Sequence, residues 1–368
     1  RIFIFAPMKY ILVCFLVAAP RYLYPTWTAW ANAEEETCAL DDETCSCTIT
    51  LGVPQDLRTE SAIANYQAAK KYLTAVVMAD PAYSNVRENC RFENELCSYW
   101  AANGECQANP EFMLYKCAPS CQSCDLLDWN LRCSFNESHV LWNGTGQVQA
   151  LKERLVRDYN AVVQSVDPWV LTVDDFLSEE DCQVLIQWGH KLGFERSVDA
   201  GKILQDGSME SIVSRDRTST NAWCLAGCYD DPVTQAVLQR LETMLDIPRG
   251  HYEYFQLLKY EVGQFYRRHH DFNPQELDRP QGNRLLTVYI YLNDVETGGG
   301  TLFNSLDLKI SPKRGRILIW PSVMDSNPLT MDGRTSHEAL PVEEGVKYGA
   351  NIWIHQRDFV TAFSKNCV

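Results

Sequence analysis

Apolar residues recur at the spacing of an amphipathic helix in four parts of the chain. In the third part, Ser178 stands before the apolar run and Asp181 follows three positions later, which is the pattern of a capping box. In the fourth, Asp231 is placed as N-cap and Pro232 takes the first helical position. The predicted helices cover 60–78, 148–164, Ser178 to near Gly193, and a segment that begins at Pro232.

A different pattern follows Asp167-Pro168, where short β-rich runs alternate with turns rich in glycine, proline, asparagine and aspartate. The clearest runs are Tyr254–Tyr260, Leu286–Leu292, Arg316–Trp320 and Tyr348–Ile354. Strands of this length after a pair of helices predict an α+β fold, mainly β, built as a sandwich or jelly-roll with a helical flank.

Residues 90–124 hold six cysteines and too few apolar residues to form a core. Such a cluster either binds zinc or pairs as disulfides. Only Cys117, Cys121 and Cys124 have the close spacing of zinc ligands, so disulfides are the favoured interpretation. Spacing alone leaves all fifteen connectivities of six cysteines open.

The N-terminal pattern and the fifteen cysteines indicate the secretory pathway, in the endoplasmic reticulum or Golgi lumen or beyond it as a secreted protein. The apolar run 10–19 and the small-x-small site Ala31-Asn-Ala33 predict a signal peptide over 1–33. An uncut signal anchor, which would attach the protein to a membrane, is the alternative. Two sequons, at Asn136 and Asn143, suit N-glycosylation of a glycoprotein in that compartment.

The formal net charge of -15 leaves no basic excess to neutralise phosphates, which argues against nucleic acid as a partner. A hydrophobic content of 46% argues against disorder, and 368 residues suffice for two domains with flanking segments. Nothing in the pattern specifies an oligomeric state.

A candidate metal site lies in the strand-rich region, in Tyr266-Arg-Arg-His-His-Asp271. Side chains alternate along a strand, so His269 and Asp271 can share one face while His270 points away. With His337, they would form a set of two histidines and one carboxylate, which leaves positions on Fe(II) open for a keto acid and O2. A surface histidine beside an aspartate is the commoner meaning of such a pair.

Lys347 strengthens the metal interpretation. It follows His337 by ten positions and leads into an apolar strand, where a solvated lysine would be out of place. A keto diacid on the metal projects its far carboxylate into the fold, and a buried cation must meet that charge.

Segment 90–124 resembles the ShK-toxin-like module, through Cys97-Ser-Tyr-Trp-Ala-Ala-Asn-Gly-Glu-Cys106 and Cys117-Ala-Pro-Ser-Cys-Gln-Ser-Cys124. The resemblance implies the pairs Cys90–Cys124, Cys97–Cys117 and Cys106–Cys121. The segment could act either as a binding module or as a small disulfide-bonded spacer. Cys224 and Cys228 bracket a short loop as a candidate local disulfide, and the pairing of the remaining cysteines is open.

The region 168–358 resembles the catalytic domain of prolyl 4-hydroxylases of the plant and algal type. The resemblance rests on Arg217-Thr-Ser-Thr, on 253–271, on Leu286-Thr-Val-Tyr-Ile-Tyr-Leu-Asn-Asp294, on Gly298-Gly-Gly-Thr301 and on 337–347. One departure is Tyr348, where the family often has tryptophan.

This second resemblance implies a double-stranded β-helix and a set of roles. His269, Asp271 and His337 match the iron ligands, and Lys347 matches the residue that pairs with 2-oxoglutarate. Further matches are Tyr260 and Thr301 as groups that bind the co-substrate, Trp353 as an aromatic near the site, and Arg217 as a weaker candidate for substrate contact. Tyr260 and Trp353 could also be plain core aromatics.

The activity implied is that of a procollagen-proline 4-dioxygenase-like enzyme, acting on proline in Pro-rich proteins or peptides. It would use Fe(II), 2-oxoglutarate, O2 and ascorbate. The alternatives are the same chemistry on another side chain, such as lysine, and a non-catalytic secreted binding protein. The expected organisation is a signal segment over 1–33, an acidic segment with a helix over 34–89, the ShK-like module over 90–124, a linker and helix over 125–165, the dioxygenase domain over 166–360 and a tail over 361–368.

Overall fold

The computed structural model describes residues 53–135, 140–203 and 209–368. The predicted signal segment, the first part of the acidic segment and the sequon at Asn136 lie outside these ranges. Within them, no helix is long and apolar enough to cross a membrane.

The described helices are α1 Glu60–Tyr72, α2 Cys97–Ala102, α3 Glu105–Ala108, α4 Pro110–Lys116, α5 Ala118–Cys121, α6 Trp129–Arg132, α7 Gln147–Tyr159, α8 Glu179–Leu192, α9 Pro232–Leu245 and α10 Phe359–Ser364. Helix α8 has the capping box of Ser178 and Asp181, and Asp231 caps α9 by accepting from the Val233 amide.

The described strands are β1 Val162–Val166, β2 Trp169–Val173, β3 Glu195–Arg196, β4 Asp199–Ile203, β5 Met209–Ile212, β6 Thr220–Trp223, β7 Gln256–Tyr260, β8 Tyr266–His269, β9 Arg284–Tyr291, β10 Thr297–Gly298, β11 Thr301–Phe303, β12 Leu308–Ile310, β13 Ile317–Pro321, β14 Val323–Met324, β15 Asn327–Met331, β16 His337–Ala339, β17 Val342–Glu344 and β18 Lys347–His355. The four predicted β-rich runs correspond to β7, β9, β13 and β18, with ends that differ by a residue or two.

Two antiparallel sheets enclose the site. The major sheet has the order β1-β2-β13-β9-β18-β7-β6-β3, and the minor sheet has the order β12-β11-β16-β8. One face of the major sheet packs on α7, α8 and α9, and the other turns toward the minor sheet. A strand that is buried on both faces consists of a continuous run of apolar residues, so these strands are easily predicted from the sequence. The mainly β fold with a helical flank, predicted from the sequence, is confirmed by these facing antiparallel sheets.

Successive side chains of strand β9 point to opposite faces of the major sheet and pack in two different clusters. Val288 and Ile290 join the core beneath the helices, whereas Tyr289 and Tyr291 belong to the cluster between the sheets. This alternation follows from the period of two along a strand. The side chains that point between the sheets are those available to the site.

One predicted helix end is wrong. The helix predicted to reach residue 164 ends at Tyr159, because Asn160 takes a left-handed conformation with φ of 52°. Val162 and Val163 lie instead on the exposed edge strand β1, which already belongs to the major sheet. Helical spacing continued past the break because two valines on a strand can mimic it.

Five disulfide bonds lie within the described residues. The structure contains Cys90–Cys124, Cys97–Cys117 and Cys106–Cys121, the three pairs that the ShK resemblance implies. Cys224 bonds to Cys228, and Cys133 bonds to Cys367 across a sequence separation of 234. The expected tail is therefore a structured segment that carries the end of α10 and is anchored near the ShK-like module.

Candidate active site

Three predicted ligands meet where two strands of the minor sheet pair. His337 begins β16 and lies directly opposite His269 at the end of β8. Asp271 follows two residues later, just beyond the strand. One ligand atom from each of the three side chains lies within 4.8 Å of the others. His337, which is distant in the sequence, thus completes a site that the local pair of His269 and Asp271 could only suggest.

His270 points away from this cluster, as strand alternation predicts. Its Nε2 lies 2.9 Å from the Asp332 carbonyl oxygen and 3.2 Å from Thr335 Oγ1. The residue therefore ties β8 to the turn that precedes His337, and it is not among the grouped ligand atoms.

The neighbours of the two histidines orient their rings for a metal. His269 Nδ1 lies 2.8 Å from the Arg267 carbonyl oxygen, and His337 Nδ1 lies 3.1 Å from the Thr335 carbonyl oxygen. Each Nδ1 therefore donates its proton to the backbone, which leaves the Nε2 lone pair free. Stacking of the Tyr266 ring on His269, with centroids 3.6 Å apart, holds that ring further.

The protonation states suit a divalent cation. Burial lowers the pKa of His269 to about 3, so its imidazole is neutral. Burial opposes ionisation of Asp271, but the neighbouring histidines and a hydrogen bond from Thr287 outweigh it and lower its pKa. Two imidazoles and one carboxylate on one side of a buried cluster fit Fe(II) with positions left open.

We expect Thr287→Val to weaken metal binding by about ten- to a hundredfold, as loss of a group that orients a ligand does. Thr287 Oγ1 donates to Asp271 Oδ2 over 2.6 Å, and valine keeps the shape without the donor. Titration with Co(II), followed by its visible absorption, measures the affinity. The matched control is Thr234→Val, because the buried Thr234 Oγ1 has no hydrogen-bond partner in the described ranges. Equal affinity in both variants would contradict this role.

Lys347 lies in a chamber between the sheets, on the first residue of β18, and is 1% exposed. In the described part of the chain, its ammonium has no ion-pair or hydrogen-bond partner. The rings of Tyr260, Tyr289 and Tyr291 surround it at 5.0, 5.1 and 5.5 Å from Nζ to the ring centroids. Burial alone lowers its pKa to about 7. A buried cation without a counter-charge is costly, and a dianionic ligand removes that cost.

The other residues predicted for the co-substrate lie in two places. Tyr260 pairs with Lys347 across β7 and β18, and Thr301 reaches the chamber with its Oγ1 2.7 Å from Tyr291 Oη. Trp353 lies outside the chamber, in the wall of a neighbouring cleft, where its Nε1 has no partner among the described residues. Tyr260 and Thr301 thus line the chamber beside Lys347, and Trp353 lines the cleft.

Tyr289 is a site residue that sequence reasoning missed. Its buried Oη has no hydrogen-bond partner within the described ranges and lies over Gly349, where a Cβ would collide with it. It adds an unused donor beside Lys347. The alternation of Thr287, Tyr289 and Tyr291 on one face of β9 is the pattern that could have revealed it.

An open cleft of about 620 Å³ reaches the same ligands from outside the chamber. Arg217 lines it, held by Gln256 Oε1 at 2.8 Å and by the Val198 carbonyl oxygen at 3.0 Å. Arg284 also lines it, paired with Glu253 at 3.0 Å and stacked 3.9 Å above the Trp353 ring. The metal cluster therefore separates a small cationic chamber from a larger cleft.

Comparisons with known proteins agree with this architecture. Residues 255–355 match the model of the 2OG-Fe(II) oxygenase superfamily, and residues 89–124 match that of the ShK domain-like family. Probable prolyl 4-hydroxylase 9 of Arabidopsis thaliana is 30% identical over 212 residues, which is 53% of this chain and 72% of that protein. Prolyl 4-hydroxylase subunit alpha-2 of Gallus gallus is 35% identical over 148 residues, 39% of this chain and 27% of the subunit.

Among solved structures, the viral collagen prolyl hydroxylase of Paramecium Bursaria Chlorella virus-1 in complex with 2OG is 27% identical, with a TM-score of 0.40, over 50% of this chain and 95% of that one. Fold, ligand cluster and sequence match define a 2OG-Fe(II) oxygenase that carries an ShK-like module. Within that class, the chain belongs to the prolyl 4-hydroxylase family. The family predicted from the sequence is confirmed.

Proposed function

We propose that this chain hydroxylates peptidyl proline to 4-hydroxyproline, coupled to conversion of 2-oxoglutarate and O2 to succinate and CO2. The proposal depends on two features that lie side by side in one fold. One is the cluster of His269, Asp271 and His337, and the other is Lys347, which is buried with no counter-charge among the described residues. We infer the prolyl substrate from the relatives, which are named prolyl 4-hydroxylases.

We assign each residue a role in binding the metal or the co-substrate from its position in the site. His269, Asp271 and His337 would hold Fe(II), which supplies the redox chemistry when bound. Lys347 pairs with the far carboxylate of 2-oxoglutarate, with Tyr289 as a second donor and Tyr260 and Thr301 forming the walls. Aromatic rings line this chamber and would limit the access of water to the co-substrate.

The cleft presents the substrate to the other side of the ligands. Proline carries no charge, so shape and aromatic faces must select a peptide in the polyproline II conformation. Trp353 lines the cleft, and Arg284, fixed by Glu253, covers one face of its ring. Arg217, held rigid by two hydrogen bonds, offers a donor to a peptide carbonyl.

We further propose a secretory-pathway setting, with ascorbate as the reductant that restores Fe(II). The described disulfides, ten cysteines in five pairs, support an oxidising lumen. Asn143 is exposed in the described ranges and remains a proposed glycosylation site.

The direct experiment incubates purified protein with Fe(II), 2-oxoglutarate, ascorbate and Pro-rich peptides. We expect stoichiometric succinate and a gain of about 16 Da that peptide mapping assigns to proline. Oxidation of lysine or another residue would replace the prolyl assignment while keeping the enzyme class. Absence of both succinate and oxidised peptide would overturn the catalytic proposal.

A further inference from the structure

The cleft extends well beyond the iron ligands, along a stretch of apolar side chains. We call this stretch the distal wall, formed by Trp223, Leu225, Tyr254, Phe363 and Val368. They line the same cavity as His269 and Asp271, so a ligand that enters the site can also contact them.

The side chains of the distal wall are accessible and uncharged. Trp223 is 38% exposed, and the other four residues are half-buried. One ring contact connects it to the site, because Trp223 lies 6.4 Å from Trp353 between centroids. Within the wall, Tyr254 lies 5.0 Å from Phe363. Accessible apolar side chains beside a catalytic cleft indicate a binding surface.

Disulfides outside the ShK-like module hold both sides of the distal wall. On one side, Cys224–Cys228 closes the short loop that carries Leu225, next to Trp223. On the other, Cys133–Cys367 fixes the segment that carries Phe363 and Val368.

The ShK-like module reaches the second side directly. Asn366 Nδ2 donates to the Glu111 carbonyl oxygen on α4 over 2.9 Å, and Arg132 Nη2 donates to the Asn366 carbonyl oxygen over 3.3 Å. Cys133, which follows α6, then bonds to Cys367. The module thus contacts the outer end of the cleft through Glu111, and the linker that follows the module is joined to the same end by Arg132 and the Cys133–Cys367 bond.

We propose that the distal wall is a second subsite, which binds the polyproline II segment flanking the target proline, and that the ShK-like module holds this subsite in place. The proposal rests on the proposed function. Its occupant follows from the continuity of the cleft and from the wall's chemistry, because uncharged aromatic faces suit proline rings and a polyproline II segment loses little entropy on binding.

The experiment compares two peptides that share one target proline. The short peptide has about four residues and the long one about twelve, roughly 12 and 37 Å in the polyproline II conformation. With the full chain, we expect Phe363→Ala to raise KM for the long peptide by about three- to tenfold. We expect kcat, and KM for the short peptide and for 2-oxoglutarate, to stay as in the unmodified protein.

Further variants separate binding from folding. Phe363→Tyr keeps the ring and should restore KM for the long peptide, whereas Val166→Ala, at a 69% exposed position on β1, should change nothing. The double variant Cys133→Ser with Cys367→Ser should reproduce the effect of Phe363→Ala if the module positions the wall. Should Phe363→Ala fold poorly, Trp223→Ala tests the opposite side.

The outcomes are distinct. An unchanged KM for the long peptide, or an equal rise for both peptides, would overturn the second subsite. A normal double cysteine variant would overturn the positioning role of the module. If the unmodified protein hydroxylates neither peptide, it is the proposed function that fails, not the subsite.

Discussion

His337→Ala should reduce peptide hydroxylation to below about a thousandth of the unmodified rate, because the chemistry depends on a metal that then keeps only two protein ligands. His337 provides the one ligand from β16, opposite His269. Succinate release and peptide mass spectrometry measure the loss of activity. Co(II) absorption measures the loss of metal binding, which separates this explanation from damage to the peptide cleft.

The fold should survive this substitution, although His337 packs 4.7 Å from the Trp320 ring. Asp271→Asn, which keeps the size of the side chain, tests the same cluster without a cavity. The matched control is His190→Ala on the exposed side of α8, where the histidine meets only Tyr348 by hydrogen bond. Full activity in His337→Ala would exclude this residue as a ligand.

Lys347→Met should raise KM for 2-oxoglutarate by about a hundredfold or more, since a far carboxylate would then be buried without a cation. The KM for peptide should stay near its value, because Lys347 faces the chamber and not the cleft. Lys259→Met is the matched control. That lysine lies on the neighbouring strand with its side chain on the opposite face, paired with Glu261 at 2.7 Å.

The same variant should stabilise the ligand-free protein. Burial lowers the pKa of Lys347 from its ordinary value near 10.5 to about 7. Between these values the unfolded chain binds the proton and the folded chain does not, so this group makes stability rise with pH across about 7 to 10.5. Removing it should add on the order of 3–5 kcal/mol below pH 7, and progressively less toward pH 10.5. Thermal unfolding across that pH range measures the gain, and a loss of stability would contradict an unpaired buried charge.

Co-substrate affinity should also depend on pH. Only the protonated ammonium can pair with the carboxylate, and Lys347 is half protonated near pH 7 in the ligand-free protein. Affinity for 2-oxoglutarate should therefore be level below about pH 7 and fall up to about tenfold per pH unit above it. Calorimetry in two buffers would show the linked proton uptake, which a permanently charged lysine would lack.

Local sequence patterns were sufficient to predict much of the secondary structure of this molecule. Capping residues placed the starts of α8 and α9 within a residue, because a cap acts on backbone groups two or three positions away. Strand alternation correctly separated His270 from His269, for the same local reason. Where a helix ended in a left-handed residue, at Asn160, the apolar spacing gave no warning and the prediction failed.

Sequence alone also determined the family, since the motifs around His269, His337 and Lys347 are specific. Only the tertiary structure decided which atoms meet. Pairing of β8 with β16 brings His337 opposite His269, and packing of β9 places Tyr289 beside Lys347, a contact that local periodicity does not encode. The bond between Cys133 and Cys367, and the distal wall it holds, depend on segments far apart in the chain that meet only when both sheets have closed.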